Sequence, residues 1–505
     1  MSIGLLRNSL SNFFAGIVPA IASLLAVPVI VSHLGAEQYG VFALLTSIVG
    51  YFAILDINVT AGSMKYLSEY RARGDSLKVG QVVTCGAMIY TVIGIVGMAA
   101  LLLFASSLIR EVFKIPANLA LTATLALKVG AVAFLFAQLQ TYLTSVPQAL
   151  LRYDISARFE ASFGAMVSIA TLGVVLAGGG LIAIMAVRLA LSMINAGLLA
   201  RVVGRLLPKL SIMLPDRETV KAITSFSAYA YLSRLATITY QNADKLLIGA
   251  MVGVEAVALY TVPFVLTNRV YGMVYRLAHT MFPLTSKLAA ENRQSELREI
   301  YLTITRYLIY LNACICGLLA LFAREILHYW AGPSFGVKAA QVLILVTLAA
   351  FIDSLTNLPA LVNDGLGRPR NTGVFAVIRA VVGFALAYFS ILGFGYVGAA
   401  WAQLATACIM VLAFLIFVHR TSVPIRFVDV CIHAYRPTLV VLPLVVALAS
   451  LLAAQPPASV LRTIVGIFSA IALAIGYGYL FVLKPEHRQS ALDRFRGLWL
   501  RTKSA

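Results

Sequence analysis

The sequence predicts an all-α polytopic membrane protein of about 14 transmembrane helices: two six-helix bundles with a pseudo-two-fold repeat, plus two extra C-terminal helices. Three observations predict it. Of 505 residues, 61% are hydrophobic and only 12% are charged, whereas a soluble domain carries roughly 25% charged residues. Apolar stretches of about 20 residues, the length that crosses a bilayer, recur along the chain. The basic residues cluster between these stretches, on alternate connections.

In chain order the predicted spans are 12–32, 40–61, 82–107, 119–145, 159–178, 181–200, 222–248, 257–283, 301–323, 339–362, 372–392, 398–418, 437–453 and 460–482. The first follows Arg7 and is long enough to span, so it reads as a retained helix and not a cleaved signal. Pro19 and Pro28 lie within it and Pro263 within the eighth; each removes a backbone donor and bends its helix. Gly178-Gly179-Gly180 supplies a tight turn between the fifth and sixth.

Charge tests the count. With a cytoplasmic N-terminus, the connections and tails on the cytoplasmic side hold 26 basic residues, among them Lys65, Arg71, Arg73, Arg201, Arg205 and Arg368. The opposite side holds four: Arg110, Lys114, Arg324 and Lys338. This is the positive-inside pattern, and it predicts that both termini are cytoplasmic. A missed span would invert the sign of every later connection.

The longest cytoplasmic link, 201–221, contains Pro208 and Pro215 and divides an N-terminal bundle, 1–200, from a second bundle, 222–418. Residues 419–505 form the extra helix pair and a basic tail. A weak internal repeat supports the division: Leu34-Gly35-Ala36-Glu37-Gln38-Tyr39-Gly40 resembles Val252-Gly253-Val254-Glu255-Ala256-Val257-Ala258, at an offset of 218 residues. Repeated helix bundles with substrate bound where they meet are a transporter plan.

Composition also excludes. The net charge of +19 follows the membrane topology, and no nucleic-acid-binding motif interrupts the helices. The five cysteines, Cys85, Cys314, Cys316, Cys408 and Cys431, are scattered and odd in number, which gives neither a disulfide framework nor a metal site. There is no Walker A sequence, zincin pair or nucleophile elbow, so the chain is not read as an enzyme and no cofactor is implied.

The candidate functional residues are charges within spans. An arginine at mid-bilayer depth costs at least roughly 2.5–3.5 kcal/mol, so such residues pair or face water inside the protein. Arg234 in the seventh span and Arg269 in the eighth are the deepest; Arg276, seven residues beyond Arg269, shares its helical face, with Asn268 beside Arg269 and His279 on the turn below. These four, Arg234, Asn268, Arg269 and Arg276, are the expected substrate-binding set, the wall of a cationic cavity. Asp56, Asp244, Asp353 and Arg379 are the expected ion-coupling or ion-pair residues, with Arg379 a structural partner for Asp353. Lys128, Arg188 and Lys245 lie nearer the outer side, where long side chains snorkel to the interface.

The run from Leu34-Gly35-Ala36-Glu37-Gln38-Tyr39-Gly40 through Tyr51-Phe52-Ala53-Ile54-Leu55-Asp56, then Lys65-Tyr66-Leu67-Ser68-Glu69-Tyr70 and Arg73-Gly74-Asp75, resembles the Wzx-type polysaccharide flippases. These belong to the multidrug/oligosaccharidyl-lipid/polysaccharide exporter superfamily. Asn363-Asp364-Gly365-Leu366-Gly367-Arg368-Pro369-Arg370 is similar to that family's basic loop after the tenth helix. The resemblance implies two six-helix bundles around a cavity that opens alternately to either side. It implies translocation of a lipid-linked oligosaccharide across the bacterial inner membrane, coupled to an ion gradient. Membrane lipids and other polysaccharide-assembly membrane proteins are the implied partners. One departure stands out: the first helix has no basic residue beyond Arg7, so a cationic contribution from the first half must come from elsewhere.

Two other readings compete. A cation-coupled multidrug exporter of the same superfamily would favour acidic residues in its cavity. A membrane glycan polymerase or ligase would need a large outer loop, and the outer connections are short.

Overall fold

The computed structural model describes residues 3–208, 213–278, 281–439 and 460–489. Among them every regular element is helical, and the all-α expectation holds. In chain order the first helices are α1 (Ile3–Tyr51), α2 (Val59–Ala72), α3 (Ser76–Ser107), α4 (Ala117–Ala149), α5 (Tyr153–Leu176) and α6 (Leu181–Leu206). Then come α7 (Arg217–Met251), α8 (Val254–Ala278), α9 (Met281–Ala290), α10 (Gln294–Leu321), α11 (Ala323–Ala331) and α12 (Pro333–Lys338). The last are α13 (Ala340–Ser354), α14 (Asn357–Gly365), α15 (Pro369–Thr421), α16 (Phe427–Val430), α17 (Arg436–Leu439) and α18 (Val460–Tyr477).

Nine of the described helices are long and apolar enough to cross a membrane. Two of these hold two spans each. α1 breaks at Gly35 (φ 77°, ψ 167°) and α15 at Gly395 (φ 59°, ψ −144°), conformations that glycine adopts without a Cβ penalty. Pro19 and Pro28 stay within helical backbone, so the break in α1 falls at the glycine and not at either proline. α7 and α8 are long enough but less apolar, since they carry Arg234, Asp244, Lys245, Arg269 and Arg276. Most of the span expected at 437–453, together with His279, Lys209 and the basic tail beyond residue 489, lies outside the described residues.

Several connections are structured. Residues 59–72, expected as a basic connection, form α2, whose Val59, Gly62, Ser63 and Leu67 are buried at helical spacing while Lys65 and Arg71 face outward. The expected span at 339–362 is two helices, α13 and α14, joined at Leu355–Thr356.

The chain folds into two compact units. One comprises Met1–Arg269, Trp330–Gly332 and Gly373–Thr406; the other comprises Val270–Tyr329, Pro333–Thr372 and Ala407–Ala505. The unit boundary therefore falls inside α8 and inside α15. The division at 201–221 rests on the sequence repeat and is a different partition from these units.

Within the first unit, α4 packs between α3 and α6, and α1 packs on α5. Its core at one end gathers Val59, Leu67, Val82, Val83, Val146 and Ile223 around the stacked rings of Tyr90 and Tyr142 (centroids 5.5 Å apart). Gly86 allows the Tyr142 ring to lie directly on α3. Both hydroxyls are buried and so need acceptors. Tyr142 donates to the Val83 carbonyl at 2.9 Å, and Tyr90 donates to Asp56 Oδ1 at 2.6 Å.

The internal repeat has a geometric counterpart in this unit. Gly35 and Gly253, equivalent under the 218-residue offset, both hold positive φ, at 77° and 124°, just before a helix. Gly40 lies so close to the first turn of α8 that any Cβ there would overlap the Val254 carbonyl, with the Ala258 nitrogen next nearest. Gly40 and Ala258 are themselves equivalent under the offset.

In the second unit, α10 carries the segment after α18. Lys484 Nζ reaches Glu299 at 2.9 Å, and the Tyr307 hydroxyl lies 2.7 Å from His487 Nδ1.

Candidate functional site

Six helices of the first unit enclose a cavity of about 720 Å³, within the range of small-molecule sites. Two further voids hold only about 20 and 10 Å³. Each wall helix contributes a stripe at three- and four-residue spacing, which puts the residues on one face. α1 contributes Tyr39, Phe42, Ala43, Thr46, Ser47 and Gly50 beyond its break. From α4 come Gly130, Ala133, Ala137 and Gln140, and from α5 Gly164, Val167, Ser168 and Thr171. α6 adds Met185, Arg188 and Ser192; α7 adds Asn242 and Lys245; α8 adds Thr261, Phe264, Val265, Asn268 and Arg269. Small and hydroxyl-bearing side chains thus keep the space open and wettable.

Among the described residues the wall holds three cations, Arg188, Lys245 and Arg269, and no aspartate or glutamate. Arg188 lies over the Phe42 ring, its Cζ 5.6 Å from the centroid. Lys245 donates to the Gln241 carbonyl at 2.6 Å and sits 4.7 Å over the centre of Phe264. Among the described residues no carboxylate comes within ion-pair distance of either. Asn242 and Gln140 each donate one amide N–H, to the Ile238 and Ser192 carbonyls respectively, and their side-chain oxygens remain acceptors. Gly50 faces Asn242, where an added Cβ would come within 3.2 Å of the amide oxygen.

The expected site residues are distributed as follows. Arg269 and Asn268 line the cavity, and Asn268 donates to the Phe264 carbonyl at 2.9 Å. Arg234 reaches Asp56 instead: its Nη2 lies 3.5 Å from Oδ2. Asp56, 1% exposed, also accepts from Tyr90 and from the Asn58 main-chain N–H at 2.9 Å. Arg276 is exposed in the last turn of α8 and belongs to the second unit. Asp244 accepts from the Tyr260 hydroxyl at 2.6 Å and lines the 20 Å³ void with Tyr240, Gln403 and Thr406. Arg379 stacks over Tyr240 at 4.7 Å and donates to its hydroxyl at 3.1 Å. Asp353 ends α13, where its carbonyl accepts from the Thr356 hydroxyl at 2.8 Å.

Two residues correct the expectation of snorkelling: Arg188 and Lys245 turn to the cavity. Lys128 is exposed. Arg188 also supplies, from α6, the cationic contribution that the first helix lacks. Its sequence signal was weak: one turn away it has apolar Met185 on one side and polar Ser192 on the other.

Residues 5–289 match the family described as "Polysaccharide biosynthesis protein". The chain belongs to this family. The stretches around Leu34–Asp56 and Lys65–Asp75 lead to the expectation of a likeness to the Wzx-type polysaccharide flippases, and it is borne out. The chain is 23% identical over 414 residues to a putative O-antigen transporter of Shigella flexneri, covering 79% of this chain and 94% of that protein. It shares its fold with the lipid II flippase MurJ in an inward closed conformation: TM-score 0.71, 12% identity, 94% of this chain and 98% of that one. A multidrug resistance MATE family transporter of the MOP superfamily in an inward-facing conformation has the same fold: TM-score 0.67, 14% identity, 82% of this chain and 98% of that one. This polysaccharide biosynthesis family member is thus a multi-pass membrane protein with a transporter fold.

Proposed function

We propose that the chain moves a lipid-linked oligosaccharide, carried on a polyprenyl diphosphate, across the bacterial inner membrane for polysaccharide assembly. In this reading the cavity opens alternately to the two sides, both termini are cytoplasmic, and no covalent bond is made or broken. The observation that carries the reading is the wall itself: Arg188, Lys245 and Arg269 with no carboxylate among the described lining residues. A diphosphate head is matched by such a set, because guanidinium and ammonium groups make charge-assisted hydrogen bonds that strengthen where water is scarce. The side-chain oxygens of Asn242 and Gln140, with the Ser168 and Thr171 hydroxyls, suit sugar hydroxyls.

The S. flexneri relative supports the glycan class by its description as an O-antigen transporter. An organic-cation exporter would need carboxylates where this wall has cations. Ion coupling is assigned to Asp244. It adjoins Lys245 in the chain while facing a different void, so a proton or cation gained there changes the field at the cavity. Asp56, held by three donors, and Asp353 are the alternatives.

Proteoliposomes containing the purified chain should translocate a polyprenyl-diphosphate glycan and fail to move the same glycan on an uncharged lipid carrier. Equal rates for both carriers would contradict the reading.

A further inference from the structure

Two of the cavity cations, Arg188 and Lys245, share an arrangement. Each lies over an aromatic face, and among the described residues no carboxylate comes within ion-pair distance of either. Phe42 lies under Arg188 and Phe264 under Lys245. We infer that Phe42 and Phe264 are positioning residues, aromatic seats that fix the two cations where an anionic head group meets them. The inference rests on the diphosphate reading above and names residues that reading does not use.

A bare arginine or lysine in a cavity wall is a long, mobile side chain that reaches for water or for a carboxylate. A carboxylate partner would hold it still but cancel its charge, and an incoming anion would have to displace that partner. A ring face holds the cation through its quadrupole without carrying a net charge. It also carries no oxygen to take up the guanidinium's strongest donors, which leaves N–H groups for phosphate oxygens. Lys245 has three donors: one is used on the Gln241 carbonyl, and the ring covers another side, so the remaining donor is available to an anion. The seats are themselves fixed. Phe264 stacks on the buried Tyr260 (5.7 Å, 21°), whose hydroxyl is held by Asp244. Phe42 leans on buried Tyr39 at 6.1 Å. Asp244 is thereby linked to the Lys245 seat through two stacked rings.

The test separates a seat from a mere packing residue. Fluorinated phenylalanines keep the shape of the ring while draining the negative charge from its face. The full-length chain is purified in detergent with mono-, di- or trifluorophenylalanine at position 42 or 264. Affinity for inorganic pyrophosphate is then measured by calorimetry at fixed ionic strength. Affinity should fall stepwise with each fluorine, by roughly threefold to tenfold in total at each position. Phe264→Leu should match the trifluoro protein, and Phe264→Tyr should match the unmodified one. A trifluoro series that binds as tightly as the unmodified protein, while Arg188→Ala and Lys245→Ala bind weakly, overturns the seats alone. Pyrophosphate affinity untouched by Arg188→Ala and Lys245→Ala overturns the diphosphate reading and the seats with it.

Discussion

Asp56 and Arg234, 178 residues apart in the chain, meet at 3.5 Å where the end of α1 lies against α7. The pair is lopsided. Asp56 is 1% exposed and Arg234 40% exposed, so the carboxylate is the member that cannot be left alone. Tyr90 and the Asn58 N–H also point at it. Removing the acceptor strands a buried hydroxyl and a cation together. Asp56→Ala should therefore destabilise the protein by about 2–4 kcal/mol. Arg234→Ala leaves Asp56 two donors and should cost no more than about half of that. Thermal unfolding in detergent gives the order. If Arg234→Ala proves the more damaging of the two, the pair is not organised around Asp56.

Gly40 tests the close approach of the two repeat-related segments. A valine there must push the Val254 carbonyl away, and overpacking of this kind costs about 1–3 kcal/mol. Gly40→Val should lower the melting temperature and transport together. Gly197→Ala on α6, where a Cβ meets open space, should leave both unchanged or slightly raise stability. Equal behaviour of the two variants would show that the α1–α8 approach is not tight.

Asp216, at the start of α7, accepts from Lys78 Nζ at 2.7 Å and from the Thr219 N–H at 2.8 Å. The Lys78 ammonium first, then the Thr219 side chain and main-chain N–H, hold its carboxyl well below the usual carboxylate range. A depressed folded pKa means that the ionised form is the one the fold stabilises. The contribution is complete at pH above the unfolded carboxylate value, about 3.9, and is lost as pH falls towards the folded one. The stability gap between the wild type and Asp216→Asn should be constant from pH 5 to 8 and close below about pH 4. A gap that widens on acidification would reverse the sign of this linkage.

Much of the fold was legible because a spanning helix announces itself by length and apolarity alone. Gly35 and Gly253 were legible as a repeat because a positive-φ break needs glycine. Arg269 was legible as a cavity-facing residue because a charge at mid-span has few places to go, and Asn268 came with it as its neighbour in the chain; both line the cavity. Arg188 and Lys245 were not, because depth along a helix says nothing about which way a side chain points around it. Rotation is set by neighbours, here α1 and α8 with their Phe42 and Phe264 rings. Arg234 was recognised as deep, but its partner Asp56 stands on a distant segment and could not be singled out from sequence spacing. The α2 helix was missed because its basic residues satisfied the topology rule so well that its buried Val59, Gly62 and Leu67 stripe went unread.

The cations of the cavity wall are proposed to bind the diphosphate head of the substrate. The most direct measurement is translocation of a polyprenyl-diphosphate glycan in proteoliposomes by Arg188→Ala, Lys245→Ala and Arg269→Ala proteins, singly and together, with reconstituted amounts matched. Each lost charge-assisted contact is worth about 1.5–3 kcal/mol. A single substitution should therefore slow transport by roughly tenfold or more, and the triple variant should be inactive. Arg188→Lys should retain part of the rate, because it keeps the charge and loses the fork. A triple variant that is folded, correctly inserted and transports at the wild-type rate would contradict the account.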